Sequence, residues 1–382
     1  MGVSLLAQEH QDDYNTMVLL KHDYKPNQKS SLLNKIAYTS ENINYFNLFY
    51  PDAYNAAKSI IVESEFKTQL NRSFEFVSSI NNTYQKAWTD GYRSGIERNL
   101  SSVFAKITWL AKSPKLKISI ADRQLIANSV LAPVTPDFGV EFQASKSLKI
   151  KGNSAYSFRL PSFNDLYWQG GGNMNLLPEK GKKIELSVEL KSKNFKLGIT
   201  GFYHHVDNWI LWVPSGGAAS WKATNAKEIE SKGFELASEW KYLINSNSFL
   251  KFFARYQFVS SINSDVYGPD KSIVGKQLFY TPQQTGIANI QYLFGNNKIS
   301  LSSTYTGSRY STADNQVDGL LPAYTLLNFS MARDFYYKSF RSSVEFTACN
   351  LLNINYYVFE NRPMPLRNYQ VTFKYNINYE QK

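Results

Sequence analysis

Residues 369 to 379 read Tyr-Gln-Val-Thr-Phe-Lys-Tyr-Asn-Ile-Asn-Tyr. Tyr369, Val371, Phe373, Tyr375, Ile377 and Tyr379 take every second position, with Gln370, Thr372, Lys374, Asn376 and Asn378 between them. Successive side chains of an extended strand point to opposite faces, so this stretch describes a strand with one apolar and one polar face. The rhythm recurs in Ile184, Leu186, Val188 and Leu190 against Glu185, Ser187, Glu189 and Lys191. It returns in Leu250, Phe252, Ala254, Tyr256 and Phe258, and in Leu116, Ile118 and Ile120. A soluble sandwich would alternate in the same way, so a second property has to choose between architectures.

Loop length is that property. Backwards from the C-terminus, connections alternate between long and short: long near 353–366, short at 335–338, long at 307–322, short at Gly295-Asn296-Asn297. The series continues long at 261–280, short at Asn245-Ser246-Asn247, long at 209–226, short at Lys193-Asn194 and long at 159–181. Glycine and asparagine at the short positions predict tight turns with positive φ. Short periplasmic turns opposite long extracellular loops are the asymmetry of transmembrane barrels.

Composition agrees. The chain has 382 residues, 15% of them aromatic, with no composition shift or linker that divides it, so residues 1–382 read as one β-barrel domain. Mean hydropathy is negative, and no apolar run approaches the roughly 18 residues of a spanning helix. Aromatic girdles and lipid contact at alternate residues account for both properties together. The net charge of +11 fits nucleic acid, anionic lipid headgroups or a lumen for anionic ligands; its even spread along the chain disfavours a nucleic-acid patch. Cys349 is the only cysteine, which excludes an intrachain disulfide and predicts a buried, inert thiol. Met1 to Ala7 is too short, and lacks the leading positive charge, for an export signal; either the protein is not exported or the sequence begins partway through a longer one.

Upstream strands are expected near 14–24, 33–46, 58–70, 73–83, 98–111, 115–123, 137–145 and 147–158, about 17 in all. The fold class expected is all-β: a partial antiparallel transmembrane barrel, about 17 of some 22 strands, without the plug that fills barrels of that size. Such a sheet has two unpaired edges, which lipid cannot satisfy.

Four blocks then resemble the barrel of TonB-dependent outer-membrane receptors, especially siderophore and cobalamin receptors of Bacteroidetes type. Phe158-Arg-Leu-Pro-Ser-Phe-Asn-Asp-Leu-Tyr-Trp168 with Gly170-Gly-Gly-Asn-Met-Asn-Leu-Leu-Pro-Glu-Lys180 is similar to the family's R-x-P-[ST]-x-x-[ED]-L-Y and G-N-x-x-L-x-P-E blocks, followed by Glu185 on a strand. Glu228-Ile-Glu-Ser-Lys-Gly-Phe-Glu-Leu236 resembles its Gly-aromatic-Glu strand, and Tyr305-Thr-Gly-Ser-Arg-Tyr310 precedes Leu321-Pro-Ala-Tyr324. Asn350-Leu-Leu-Asn353 and Pro363-Met-Pro-Leu-Arg-Asn-Tyr369 are similar to its closing segments. The resemblance marks Arg159, Pro161, Asn173, Pro178, Glu179, Glu185, Gly233, Glu235, Asn350, Pro365 and Arg367 as structural motif residues. Pro161 and Pro178 would shape the chain where it leaves and re-enters strands, and Gly170 to Gly172 would allow loop geometry closed to other residues. Leu366 departs from the family's usual glycine, and Glu380-Gln381-Lys382 extends past the expected aromatic end.

Candidate chemistry is sparse. His204 and His205 are neighbours on a strand and face opposite ways, so the pair cannot chelate one ion, and no metal site or cofactor is expected. The glycine run lacks the Lys-Ser/Thr of a phosphate loop, and no hydrolase signature appears, so no enzyme activity is expected. Tyr167, Trp168, Trp209, Trp212, Trp221, Tyr267 and Tyr310 lie on or beside long connections, with Lys222 and Arg309. They suit either the interfacial girdle or stacking on a bulky ligand; Trp221, mid-loop behind Gly216-Gly217, is the foremost ligand candidate.

What the resemblance implies is an outer-membrane receptor of a Gram-negative bacterium that imports a bulky nutrient such as a ferric siderophore or cobalamin. Its partners would be outer-membrane lipid, lipopolysaccharide and, in a full-length parent, the TonB complex; the present chain alone is expected to be inactive. A passive porin or adhesin barrel is the first alternative. A soluble basic β-protein binding single-stranded nucleic acid is the second, which would be recovered without detergent.

Overall fold

The computed structural model describes residues 9–47, 50–92, 95–111, 115–214, 221–267, 271–337 and 340–377. Met1 to Ala7, Gly216-Gly217, Asn378, Tyr379 and Glu380 to Lys382, each singled out above, lie outside them. The first half of the chain forms β1 (Glu9–Asn27), β2 (Ser30–Asn47), β3 (Tyr50–Asn71), β4 (Phe74–Thr89), β5 (Ile96–Leu110), β6 (Leu116–Ala127), a two-residue β7 (Val130–Leu131), β8 (Asp137–Gln143) and β9 (Leu148–Arg159). A one-turn helix α1 (Phe163–Tyr167) precedes β10 (Glu179–Lys191), β11 (Phe195–Pro214), β12 (Trp221–Asn245), β13 (Ser248–Val266), β14 (Gln284–Phe294) and β15 (Asn297–Thr306). After a small hairpin of β16 (Arg309–Tyr310) and β17 (Leu320–Leu321) come β18 (Tyr324–Tyr337) and β19 (Phe340–Cys349). A second small hairpin, β20 (Tyr357–Phe359) with β21 (Arg362–Pro363), leads to the closing β22 (Asn368–Ile377).

The long strands pair antiparallel in chain order, a meander within one 18-stranded sheet. Without β7, seventeen strands remain, the number the alternation predicts. Among the described residues β1 pairs only with β2, and β22 only with β19, so each has one unpartnered edge. No helix among the described residues is long and apolar enough to cross a membrane.

The two faces differ as the alternation requires. On β10, Ile184 and Leu186 are each 58% exposed, whereas Glu185 accepts an ion pair from Lys183 on the other side (2.7 Å). On β22, Tyr369, Val371, Phe373 and Tyr375 are all exposed, while Lys374 reaches Glu345 of β19 at 3.5 Å. The apolar row crosses strands: Leu186 pairs with Gly201, Gly201 with Phe234, and Phe234 with Phe258. The polar face carries cross-strand ion pairs, with Glu141 between Lys117 and Lys149, Glu189 beside Lys151, and Glu345 between Lys298 and Lys374. Half of the buried apolar residues among those described are alanines, and the larger ones, such as Leu176, Val206, Ile210 and Ile229, lie in the loops or towards the long-loop ends of β11 and β12. Left against water, this apolar wall would cost roughly 25 cal/mol per Å², a cost that contact with hydrocarbon removes.

Three expectations need correction. Of the short turns, Gly295 has the positive φ (+53°), but Lys193-Asn194 and Asn245-Ser246-Asn247 do not. Asparagine works there through its side chain: Asn245 Oδ1 accepts the Asn247 amide at 2.9 Å, as Asn27 and Asn71 accept those of Lys29 and Ser73, both at 2.8 Å. These are side-chain turns that leave φ in its ordinary range. The expected long loops at 209–226 and 261–280 are partly strand, because β11, β12 and β13 run for 20, 25 and 19 residues. Some 9–11 residues cross a bilayer, so these strands project well beyond it on the long-loop side. Finally, Cys349 is half-buried rather than buried.

Candidate functional site

The segment joining β9 to β10, which holds the R-x-P-S and G-N-x-x-L-x-P-E blocks, is bound to the wall on both sides. Ser162 caps α1 and forms a reciprocal box with Asp165: the Ser162 amide donates to Asp165 Oδ2 (2.9 Å), and the Asp165 amide to Ser162 Oγ (3.2 Å). Trp212 of β11 donates its indole N–H to Asp165 Oδ1 at 3.0 Å. Burial by itself raises the Asp165 carboxyl; the Ser162 backbone and hydroxyl, Trp212 and the nearby Arg159 guanidinium outweigh it and hold the pKa below the usual range. Arg159 grips Glu179 with both Nε (2.7 Å) and Nη2. The buried Glu179 also accepts the Ile210 amide at 2.9 Å, so one ion pair ties the start of β10 to the end of β9 and to β11.

Towards β4 and β5, Tyr92 donates to Asn164, Arg98 reaches the Pro161 carbonyl (2.9 Å) and lies over Phe163, and the Gln169 amide meets Gly91 O (2.9 Å). Towards β12, the Ala223 amide donates to Gly171 O (2.9 Å), and Asn173 Nδ2 to Ala223 O (3.2 Å). Gln169 and Gly171 are two residues apart, yet they bond segments whose strands lie six strands apart in the sheet. At about 4.8 Å per strand that is on the order of 29 Å along a flat sheet, so the wall must curve strongly around this segment. Leu176, Ile210 and Ala223, with Leu166 and Trp212 against them, form its apolar seat.

The glycine run serves close approach rather than unusual dihedrals. A Cβ on Gly171 would stand 1.7 Å from Trp221 O, and one on Gly172 would stand 2.6 Å from Trp168 N. Gly233 follows the same logic, with its missing Cβ 2.0 Å from Phe258 O. Glu235 accepts from Gln257 (3.2 Å). Asn350 is buried at φ +49° and bonds Ile354 through both side-chain atoms, organising the loop that ends at the exposed Pro365 and Arg367. Leu366, at the position of the family's glycine, has no positive φ.

The nine candidate ligand contacts separate into two groups. Trp212 and Tyr167 are half-buried, the first held by Asp165 and the second against Phe163. Trp209 is half-buried on β11 and Tyr310 half-buried in β16. Arg309 is 4% exposed, lies over Tyr324 and donates to the carbonyls of Tyr357 and Val358; it latches one outer hairpin to the other. Trp221 opens β12 opposite Pro214 instead of standing mid-loop. Trp221, Lys222, Trp168 and Tyr267 are exposed. The backbones of Trp221 and Lys222 close on Gly171, whose amide donates to the Trp168 carbonyl (3.1 Å), and the Trp168 ring lies edge-on to Tyr92. Tyr92, Arg98 and Asn225, whose side-chain amide donates to the carbonyls of Leu177 (3.0 Å) and Asn208 (2.7 Å), escaped the sequence reading; Asp165 stood in the first block without being singled out, although the Ser162-x-x-Asp165 capping spacing was visible there.

His204 and His205 face opposite sides, as expected. His205, however, meets Asp207 (3.0 Å) and Glu228 (3.7 Å) on the outward face.

A meander whose outer surface is apolar, whose inner surface is charged and whose long loops gather at one end is the wall of an outer-membrane β-barrel. The chain belongs to the TonB dependent receptor-like β-barrel family, whose model matches residues 5–354, and this places it in the outer membrane of a Gram-negative bacterium. It is 28% identical over 239 residues to the vitamin B12 transporter BtuB of Photobacterium profundum, covering 62% of this chain and 36% of that protein. It is 27% identical over 151 residues to BtuB of Vibrio vulnificus, covering 35% of this chain and 25% of that protein. The FrpB iron transporter of Neisseria meningitidis superposes with a TM-score of 0.75 at 12% identity, over 94% of this chain and 62% of that one. The ferric preacinetobactin receptor BauA of Acinetobacter baumannii gives 0.73 at 11% identity, over 97% and 64%. The chain thus spans about a third of the longer-matching curated relative and under two thirds of these solved neighbours.

Proposed function

We propose that this chain is the barrel of an uptake receptor that binds a bulky nutrient at its outer rim, a cobalamin or a ferric siderophore, and is energised through TonB. The observation that carries the reading is the β9–β10 segment, pinned by Asp165, Glu179 and Asn173, with Trp168, Trp221 and Lys222 exposed around it. Exposed indoles offer apolar stacking area and the lysine a charge for an anionic chelate. Wall residues below the rim face lipid, with the outermost lysines and tyrosines towards lipopolysaccharide. Because β1 and β22 each lack a second partner among the described residues, these 382 residues alone are not expected to concentrate ligand across a membrane.

Titration of the detergent-folded chain with cyanocobalamin and with a ferric catecholate, read by tryptophan fluorescence, tests the reading. Saturable binding of one of them, weakened at least fivefold in Trp221→Ala, supports it. No saturable binding of either, together with free passage of small solutes through liposomes containing the chain, would favour the passive-pore alternative.

A further inference from the structure

The outward face of the β11–β12 hairpin carries a cluster that the uptake reading does not use. Odd-numbered residues of β11 below its bulge face outward with the exposed Ile199 and Tyr203, so His205 and Asp207 share that face two positions apart. Glu228 joins them from β12. The His205 Nε2, one Asp207 oxygen and one Glu228 oxygen all lie within 4.8 Å of one another. They are partly accessible, with side-chain exposures between 22% and 33%.

The backbone is shaped to hold this arrangement. The register slips between Val206 and Trp209, and Asn208 sits at φ +58°, a bulge of the kind that re-aims a neighbouring side chain. Tyr267 Oη accepts the Asn208 amide and donates to Glu228 Oε1, both at 3.2 Å, fixing the carboxylate from outside as second partners do around metal ligands. Cations stand near without engaging it. Lys182, cross-strand from His205, turns over Tyr156, while Lys232 pairs with Glu230 and Lys271 with Asp265. Among the described residues no Lys or Arg pairs with Asp207 or Glu228, so the two carboxylates share one imidazole.

We propose that His205, Asp207 and Glu228 form a divalent transition-metal site, of the Zn²⁺ class, that staples β11 to β12 beyond the bilayer. One imidazole with two carboxylates suits a borderline ion better than a hard one, and the accessible side leaves remaining positions to water. Zn²⁺ binding to the full detergent-folded chain, measured by calorimetry and by competition with a chromogenic chelator, tests it. One Zn²⁺ per chain is expected, at least tenfold weaker in His205→Ala and in Glu228→Gln, and within twofold of wild type in His204→Ala, whose imidazole faces the other way. Tyr267→Phe, which keeps the ring, should weaken binding two- to tenfold, and β-sheet circular dichroism confirms that each variant is folded. Absence of stoichiometric binding, equal loss in His204→Ala, or Ca²⁺ bound as tightly as Zn²⁺ would overturn the proposal.

Discussion

Glu179 and Asp165 are the residues on which the outer segment turns. Glu179 is 7% exposed at its side chain and Arg159 is 49% exposed, so the pair lies between a buried and a surface ion pair. Glu179→Ala should therefore cost on the order of 2 kcal/mol and expose Phe163, Tyr167 and Trp168 to chymotrypsin, with cleavage mapped by mass spectrometry. Asp165 has a depressed pKa, so its contribution is fully present above the unfolded carboxyl's ordinary value of about 3.9 and is lost as pH falls through its lower folded value. In acid the wild-type segment should open to pepsin, an acid-active protease, whereas Asp165→Asn should already be open to chymotrypsin at neutral pH. Lys227 behaves in the opposite sense. It is 1% exposed, and desolvation lowers its pKa to about 8 from 10.5. Both states are charged below about 8, so the burial penalty is full there and disappears as pH rises towards 10.5. Lys227→Met should stabilise the folded chain by roughly 3 kcal/mol at pH 7, with the advantage gone near pH 10.5, read from urea midpoints. The motif residues were visible in the sequence, but their partners were not. Trp212 and Ile210 are separated from Asp165 and Glu179 by a strand, and nothing local in either stretch announces the contact.

At the scale of the element, alternation proved sufficient because each strand's two faces meet unlike media. Strand ends were harder to read. Beyond the bilayer both faces of β11 and β12 meet water or loops, the pattern loses its contrast, and residues such as Trp209 and Trp221 read as loop although they are strand. The turns misled for another reason: asparagine serves both a positive-φ turn and a side-chain turn, and sequence alone does not distinguish them. Glycine on a strand was equally ambiguous. Gly233 is required by the approach of Phe258 O, not by its dihedral, so Gly233→Ala should force β12 and β13 apart locally. A loss of about 1–3 kcal/mol is expected, measured as a lowered melting temperature in detergent, whereas Gly198→Ala on neighbouring β11, with nothing within 4 Å of the new Cβ, should be near neutral.

Across the whole molecule, the number of long strands, the two-faced wall and the barrel class were legible from the sequence, while what fixes the wall's curvature was not. It emerges from bonds that join Gly91 and Ala223 to one short segment, contacts between regions far apart in the chain. The wall also predicts an asymmetry of tolerance. Leu186→Arg on the outward face should cost about 2–4 kcal/mol if it lies near the bilayer midplane, and Ser187→Arg on the charged face far less, compared by urea unfolding from lipid vesicles. The central claim is that alternate side chains touch hydrocarbon and water. A spin label carried along positions 184 to 189 in a Cys349→Ser background, with the chain in lipid bilayers, tests it most directly. The account predicts oxygen-rich, nickel-poor collision at 184, 186 and 188 and the reverse at 185, 187 and 189. Equal accessibility at all six positions, or a period of three to four residues, would contradict it.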